Sequence, residues 1–171
     1  MKSFVVVVSL GVVLCFALAF QGQAAQGLTK QEAKVQVDKV MKIYNTGEMA
    51  LIPGVYAPEI VLSVSGSPEK IVGHEGLKKW IEFVRAAYPD FHMTVDEIIV
   101  EGDKVATVYT MTGTNTGSRG PLPPTGKGFR VKGIGFAYLK NGKTVKEISV
   151  YNTLDLMTQL GYTLSLPLAA K

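Results

Sequence analysis

The sequence predicts a single α+β domain in which two helices precede an antiparallel sheet. Two amphipathic segments occupy the first half of the chain, and their apolar residues recur at the three- and four-residue spacing of helices. The second half alternates polar and apolar residues with the period of two that is typical of strands. Helices grouped before a run of strands indicate an α+β domain. Residues 26–171 are enough for one domain with a sizeable core.

Residues 1–25 form a separate N-terminal segment. Lys2 is followed by an apolar run from Phe4 to Phe20 and then by Gly22-Gln23-Ala24, which puts small residues at the positions that a signal peptidase reads. This arrangement predicts a secretory signal peptide and therefore a secreted, periplasmic protein with no membrane attachment after cleavage. The alternative is an uncleaved anchor, but the apolar run falls just short of the roughly 18 residues of a spanning helix.

The first helix is predicted to begin at a capping box. In Thr29-Lys30-Gln31-Glu32 the threonine hydroxyl can accept a hydrogen bond from the third helical amide while the glutamate reaches back. Asn45-Thr46-Gly47 ends this helix. Pro53 and Pro58 then allow only a short helix before a strand at Ile60–Val64. The apolar stripe of the first helix consists of Val35, Val37, Val40, Met41 and Tyr44.

The second helix is predicted between Gly73 and Pro89-Asp90. One face is apolar and the opposite face is charged, which is the pattern of a helix that covers a core. The apolar face carries Leu77, Trp80, Ile81, Val84 and Tyr88, and the charged face carries Lys78, Lys79, Glu82 and Arg85.

Four strands and a short helix complete the predicted domain. The strands are Met93–Val100, Lys104–Thr112, Phe129–Leu139 and Thr144–Tyr151. Glu101-Gly102-Asp103 makes a tight turn, and Asn141-Gly142 is the strongest short signal for a hairpin. Apolar residues within 154–160 predict a final short helix that ends at Gly161.

An unusually long connection, Gly113–Lys127, separates the second and third of these strands. Connections in compact domains are usually about 4 to 6 residues long, and loops beyond about 12 residues are functional or disordered. Three prolines, Pro121, Pro123 and Pro124, restrict the backbone of this segment. The segment is therefore predicted to be an ordered flap.

The flap and five other short segments carry a family resemblance. The flap contains Gly113-Thr114-Asn115-Thr116-Gly117 and Pro123-Pro124-Thr125-Gly126-Lys127, and the other segments are Gly73–Lys78, Tyr88–Phe91, Glu101–Ala106, Asn141–Lys143 and Gln159–Gly161. In this order they resemble the SnoaL-like polyketide cyclases, also called ester cyclases. The resemblance implies the cone-shaped nuclear-transport-factor-2-like fold, in which helices pack over the concave face of a curved antiparallel sheet and leave an apolar pocket for a small organic molecule.

The resemblance also implies a reaction and the position of the residue that transfers its proton. Cyclases of this family close a ring by an intramolecular aldol condensation without metal or organic cofactor, and an aspartate on the last strand usually transfers the proton. Asn152 stands at that position here, and Asn115 stands where the flap usually carries histidine. Because an amide cannot take a proton from carbon at neutral pH, His92 or Asp155 would have to supply the base while Asn152 polarises a carbonyl group.

Four residues are candidate ligand contacts, namely Tyr109, Asn115, Arg130 and Tyr138. Tyr109, Tyr138 and Asn152 fall on successive strands of the predicted meander, so two phenols and an amide could supply hydrogen bonds within an apolar wall. Arg130, directly after the flap, could meet an anionic ligand. The alternatives are core packing for the tyrosines, a solvated strand-end charge for Arg130 and a dipole-stabilising first-turn acid for Asp155.

Composition excludes several classes of function. Cys15, the only cysteine, lies in the signal segment, so disulfides, thiol catalysis and cysteine metal sites are not expected. The two histidines, His74 and His92, lack the spacing of metal ligands. Removing Lys2 from the 18 basic residues leaves 17 against 14 acidic ones, a net charge of +3. These charges are scattered, whereas a nucleic-acid interface needs a clustered basic face.

Three functions remain open from the sequence. The first is an exported cyclase or isomerase that works without a cofactor. The second is a periplasmic protein that binds a small hydrophobic molecule without transforming it. The third is an interaction domain that forms a homodimer through the convex face of its sheet.

Overall fold

The computed structural model describes residues 27–163, and the predicted signal segment lies outside them. The elements are α1 (Lys30–Thr46), α2 (Ile52–Val55), β1 (Tyr56–Val64), β2 (Ile71–Val72), α3 (Gly73–Ala87), β3 (His92–Glu101), β4 (Lys104–Thr114), β5 (Gly128–Lys140), β6 (Lys143–Tyr151) and α4 (Thr153–Gln159). Within residues 27–163, no helix combines the length and the apolar character needed to span a membrane.

Local features set both ends of α1 as predicted. Thr29 Oγ1 accepts a hydrogen bond from the Glu32 amide at 3.2 Å, and the Glu32 carboxylate accepts one from the Thr29 amide at 2.9 Å. These two bonds close the capping box. At the other end, Gly47 has a φ of 75°, the left-handed conformation that favours glycine after a helix.

The strands form one six-stranded sheet with the order β2-β1-β6-β5-β4-β3. β3 to β6 make the predicted antiparallel meander. β1 pairs with β6 in parallel, so the sheet is mixed and not wholly antiparallel. Parallel neighbours require a long crossover, and here α3 and the first three strands of the meander lie between β1 and β6 in the chain.

β1 also begins earlier than the sequence predicted, at Tyr56 instead of Ile60. Pro58 was expected to delay the strand because proline cannot donate to a ladder. The pairing of β1 with β6 is interrupted between Tyr56 and Val61, and Pro58 lies within that interruption. The missing amide hydrogen of Pro58 therefore leaves the rest of the pairing between β1 and β6 intact.

The helices lie over one face of the sheet and are fixed there by side-chain hydrogen bonds. Asn45 of α1 exchanges two bonds with the backbone of Met93 in β3, at 2.7 and 2.9 Å. Arg85 of α3 donates to the backbone oxygens of Tyr44 and Asn45, at 3.1 and 2.8 Å. The main core between the helices and the sheet includes Ile43, Ile52, Leu62, Leu77, Ile81, Phe91, Val131 and Leu160. The predicted helix-covered α+β architecture is confirmed.

Candidate active site

A partly open cavity of about 100 Å³ lies between α1, α3 and the face of the sheet that the helices cover. Most of its wall is apolar, with contributions from Val40, Trp80, Phe83, Phe91, Met111 and Phe129. The polar side chains in the wall are Gln36, Tyr44, Tyr88, Thr107, Tyr109, Arg119, Thr144, Glu147, Ser149 and Tyr151. An apolar cavity with a few convergent polar groups is the usual form of a small-molecule site.

A β-bulge in β6 decides which side chains enter this cavity. Tyr138 of β5 pairs with Lys146 and the next residue pairs with Thr144, which leaves Val145 as an extra residue in β6. Thr144 and Glu147 both line the cavity, although residues three apart on an unbroken strand point to opposite faces. The bulge therefore allows both side chains to face inward.

Small residues opposite β6 leave room for these inward side chains. Glu147, Ser149 and Tyr151 pair respectively with Ala137, Gly135 and Gly133 of β5. At Gly133 the requirement for glycine is steric, because a Cβ atom there would lie 2.5 Å from the ring of Tyr109. Gly133 thus makes space for the Tyr109 phenol in this wall.

Glu147 is the only carboxylate among the described residues that line the cavity. Burial raises the pKa of its carboxyl from the ordinary 4.5 to about 7, because the low-dielectric wall disfavours the charged form. The nearby Tyr56 hydroxyl partly opposes this rise in pKa. That hydroxyl is itself buried without a hydrogen-bond partner among residues 27–163, so it lies close to Glu147 without forming a well-aligned bond. Glu147 forms no ion pair with any described residue.

Two further tyrosines lie close to this carboxyl. Burial, and secondarily the charge of Glu147, raises the pKa of Tyr44 well above its ordinary value. Burial likewise raises the pKa of Tyr109 to about 12, and its hydroxyl shares a 2.6 Å hydrogen bond with Ser149 Oγ. Both phenols therefore stay protonated near neutral pH. They can donate hydrogen bonds to an oxygen that becomes negative in the cavity.

The flap contributes Arg119 to the wall of the cavity. Asn115, which is fully buried, anchors the flap. Its amide group donates to the backbone oxygens of Ala87 and Gly117, at 3.3 and 2.7 Å, and its side-chain oxygen accepts from the Thr125 amide at 3.1 Å. The prediction of an ordered flap is therefore consistent with a specific internal network.

Replacing Asn115 with alanine is expected to destabilise the protein by about 2–4 kcal/mol, because several buried backbone groups lose their partners. The free energy of unfolding in urea measures this loss, and hydrogen exchange at the amides of Gly117 and Thr125 reports the loosened flap. Asn152→Ala is the matched control. Asn152 only caps α4, so its replacement should cost about 1 kcal/mol. Equal costs for the two variants, with unchanged flap exchange, would contradict the anchoring role.

The structure places one of the residues proposed from the sequence, Tyr109, in the cavity wall. Tyr138 pairs with Lys146, on the opposite face of the sheet from Glu147, and the Lys146 ammonium lies 5.0 Å from the centre of its ring. His92 and Arg130 are exposed at the starts of β3 and β5. None of these last three lines the cavity.

The three remaining candidates have structural contacts of their own. Asn115 anchors the flap. Asn152 is exposed, and its side-chain oxygen accepts from the Asp155 amide at 3.0 Å, which makes it the N-cap of α4. Asp155 is also exposed, and its carboxylate accepts from the side chain of Gln159 at 3.1 Å. The cavity thus brings together Tyr109 and residues that the sequence analysis did not single out.

Glu147 is the most important of the residues that the sequence analysis missed. One signal was available: in Glu147-Ile148-Ser149-Val150 the polar residues alternate with apolar ones. If the polar side chains face a cavity, the apolar ones face the outer surface, and Val150 is indeed 54% exposed. The alternation alone does not show which face of the strand lines a cavity and which face is exposed to solvent.

The fold is an α+β cone with a mostly apolar cavity between its helices and its sheet, and a single carboxyl group among the described residues lines that cavity. The chain belongs to the SnoaL-like polyketide cyclase family, which matches residues 34–160. The resemblance seen in the flap and its companion segments is therefore confirmed. No curated protein sequence matches the chain.

Solved structures agree with this assignment. TsrD from Streptomyces laurentii is 25% identical, with a TM-score of 0.71 over 78% of this chain and 98% of TsrD. IdmH from Streptomyces antibioticus, described as a candidate polyketide cyclase, is 25% identical, with a TM-score of 0.65 over 77% of this chain and 99% of IdmH. A Catenulispora acidiphila protein with a ketosteroid isomerase-like fold, 15% identical, has a TM-score of 0.65 over 75% of this chain and 93% of its own, and bears on the fold alone.

Proposed function

We propose that this protein catalyses proton transfer at carbon in a small organic molecule, as an aldol cyclase or a related isomerase, with Glu147 as the acid/base. One observation carries the proposal: a single carboxyl in an apolar cavity has a pKa of about 7. A general base works best when its pKa lies near the working pH. The family resemblance gave the acid/base role to the position of Asn152. The proposal assigns this role to Glu147, on the strand that precedes Asn152.

The chemistry follows from the groups in the wall. The Glu147 carboxylate removes a proton from the carbon next to a carbonyl group, and the electron pair moves onto the carbonyl oxygen to give an enolate. Tyr44 and Tyr109, both protonated, can stabilise that oxygen by hydrogen bonds. In an isomerase Glu147 gives the proton back to a different carbon from the one that lost it. In a cyclase the enolate carbon bonds to a second carbonyl carbon, whose oxygen then takes the proton from Glu147.

Deuterium exchange tests this function without knowledge of the natural substrate. Both reactions share proton removal from carbon, so the protein should catalyse exchange at the acidic carbon of small β-keto esters and aryl ketones in D2O, followed by proton NMR. Catalysed exchange that depends on Glu147 supports the proposal. Absence of catalysed exchange with ligands that demonstrably bind would contradict it and favour a non-catalytic binding protein.

We also propose that the mature chain is an exported homodimer. The N-terminal pattern of Lys2 and the apolar run supports export. On the face of the sheet away from the helices, Ile134 pairs with Val108 on one side and Val150 on the other. Ile134 and Val150 are each 54% exposed. An exposed row of β-branched side chains at the centre of a sheet favours contact with a second copy.

Native mass spectrometry of the protein recovered from its producing cells tests both points. The expected mass is twice that of residues 26–171. Ile134→Lys should give monomers because it puts a charge in the middle of the proposed contact. Val35→Lys is the control, since Val35 is an exposed apolar residue on α1 and not on the sheet. A full-length chain would contradict export with cleavage of the signal segment. A monomeric wild type would contradict the homodimer.

A further inference from the structure

Arg119 puts a positive charge in the wall of a mostly apolar cavity. It lies in the flap, in a tight turn closed by two backbone hydrogen bonds with Leu122 at 2.9 and 3.2 Å. Its side chain is half-buried and lines the cavity. Among residues 27–163, no carboxylate forms an ion pair with it. A guanidinium that lies beside two phenols at a cavity wall, with no carboxylate partner among the described residues, is suited to bind an anionic group of a ligand.

Tyr88 provides a second and independent observation at the same place. The residue is only 4% exposed and lines the cavity. Its hydroxyl is buried with no well-aligned hydrogen-bond partner in the described part of the chain, although the Arg119 side chain lies beside it. Burial raises the pKa of Tyr88, and the nearby charge of Arg119 is the main influence that opposes the rise. A buried phenol without a partner is costly, and a ligand oxygen would relieve that cost.

Tyr151 connects this end of the cavity with Glu147. The charge of Arg119 also opposes the rise that burial causes in the pKa of Tyr151, so the two side chains are close. Glu147, Ser149 and Tyr151 lie on one face of β6, and four strand residues span about 13 Å. The positive end and the carboxyl end of the cavity are therefore about one small-molecule length apart.

We propose that the ligand of this cavity is an organic carboxylate, whose anionic group is bound by Arg119 and Tyr88 while its acidic carbon lies near Glu147. Two carboxylates do not bind close together without a cost in free energy. A bound acid would thus be oriented, with its charged group at the flap and its reactive carbon at the opposite end. This inference rests on the proposed function and names the substrate class for it.

Binding can be followed through Trp80, the only tryptophan of the chain, because it lines the cavity. The probes are omega-benzoylvalerate and its methyl ester, which share a ketone and a chain and differ in charge. The wild type is expected to bind the carboxylate at least about tenfold more tightly than the ester, as a charge-assisted hydrogen bond would give. Arg119→Met should reduce this ratio to about twofold or less, and Tyr88→Phe should reduce it by about threefold.

Arg130→Met is the matched control, because Arg130 is exposed outside the cavity, and it should keep the full preference. If Arg119→Met does not fold by circular dichroism, Tyr88→Phe carries the test alone. Three results would overturn the proposal. The wild type binds both probes equally, it binds neither, or its preference for the carboxylate survives in both Arg119→Met and Tyr88→Phe. The preference should persist in Glu147→Gln. If it persists and the wild type catalyses no exchange, the carboxylate site stands and the proposed chemistry fails.

Discussion

Glu147→Gln is expected to lower the rate of catalysed deuterium exchange at carbon by about 10²- to 10⁴-fold, the usual contribution of a positioned general base. Glutamine keeps the size of the side chain but cannot accept a proton from carbon at neutral pH. Proton NMR in D2O with one β-keto ester, at matched protein concentrations, measures the loss. Trp80 fluorescence shows whether the variant still binds that ester, so that a lost reaction is not confused with lost binding.

The pH dependence gives an independent check on the same assignment. If the Glu147 carboxylate is the base, the wild-type exchange rate should rise with pH and level off above about 7, the pKa of this group. Glu82→Gln is the control variant, since Glu82 is exposed on α3, and its profile should match that of the wild type. A residual rate in Glu147→Gln within a few-fold of the wild type would rule out Glu147 as the base.

Glu147→Gln is also expected to stabilise the protein at high pH, by up to about 3 kcal/mol. The folded state holds the pKa of Glu147 near 7, whereas the ordinary value is 4.5. A difference of this size corresponds to about 3 kcal/mol at 1.36 kcal/mol for each tenfold change in proton affinity. Above pH 7 the folded protein must carry a buried charge that the unfolded chain carries in water.

The sign of this effect depends on pH in a defined way. Below pH 4.5 the carboxyl is protonated in both states and imposes no penalty. Between 4.5 and 7 the unfolded chain has lost the proton that the folded protein keeps, so wild-type stability falls as pH rises. Above 7 the penalty is complete and constant.

Urea unfolding of the wild type and Glu147→Gln at pH 5 and pH 8 tests this expectation. The difference in free energy of unfolding between the two proteins should be small at pH 5 and should grow in favour of the variant at pH 8. Glu82→Gln should show no such growth. A variant that is less stable than the wild type at pH 8 would mean that the carboxylate is compensated by partners in the folded state.

Much of the fold could be predicted because its signals are local. The capping box at Thr29 and the hairpin turn at Asn141-Gly142 act through neighbouring residues, and both lie where the sequence indicated. The parallel pairing of β1 with β6 could not be predicted in this way. It depends on where the chain returns after α3, which no short segment encodes.

The site was harder to predict because its key residue depends on a register shift. Tyr109 was identified from its place on a central strand of the predicted meander. For Tyr138 the same reasoning could not tell the two faces of the sheet apart, and the side chain lies opposite Glu147. Asn152 was placed by family position and Asp155 as a substitute base close to it in the chain, and both lie at the start of α4 outside the cavity wall.

The extra residue Val145 has a consequence for comparing related chains. The face of Glu147 is set by its pairing with Ala137 and not by its distance along the chain from Thr144. Deleting Val145 would make Thr144 adjacent to Lys146 and restore a regular ladder, in which Glu147 keeps both its partner and its inward face. A one-residue gap at this position in an alignment is therefore compatible with the same inward-facing acid.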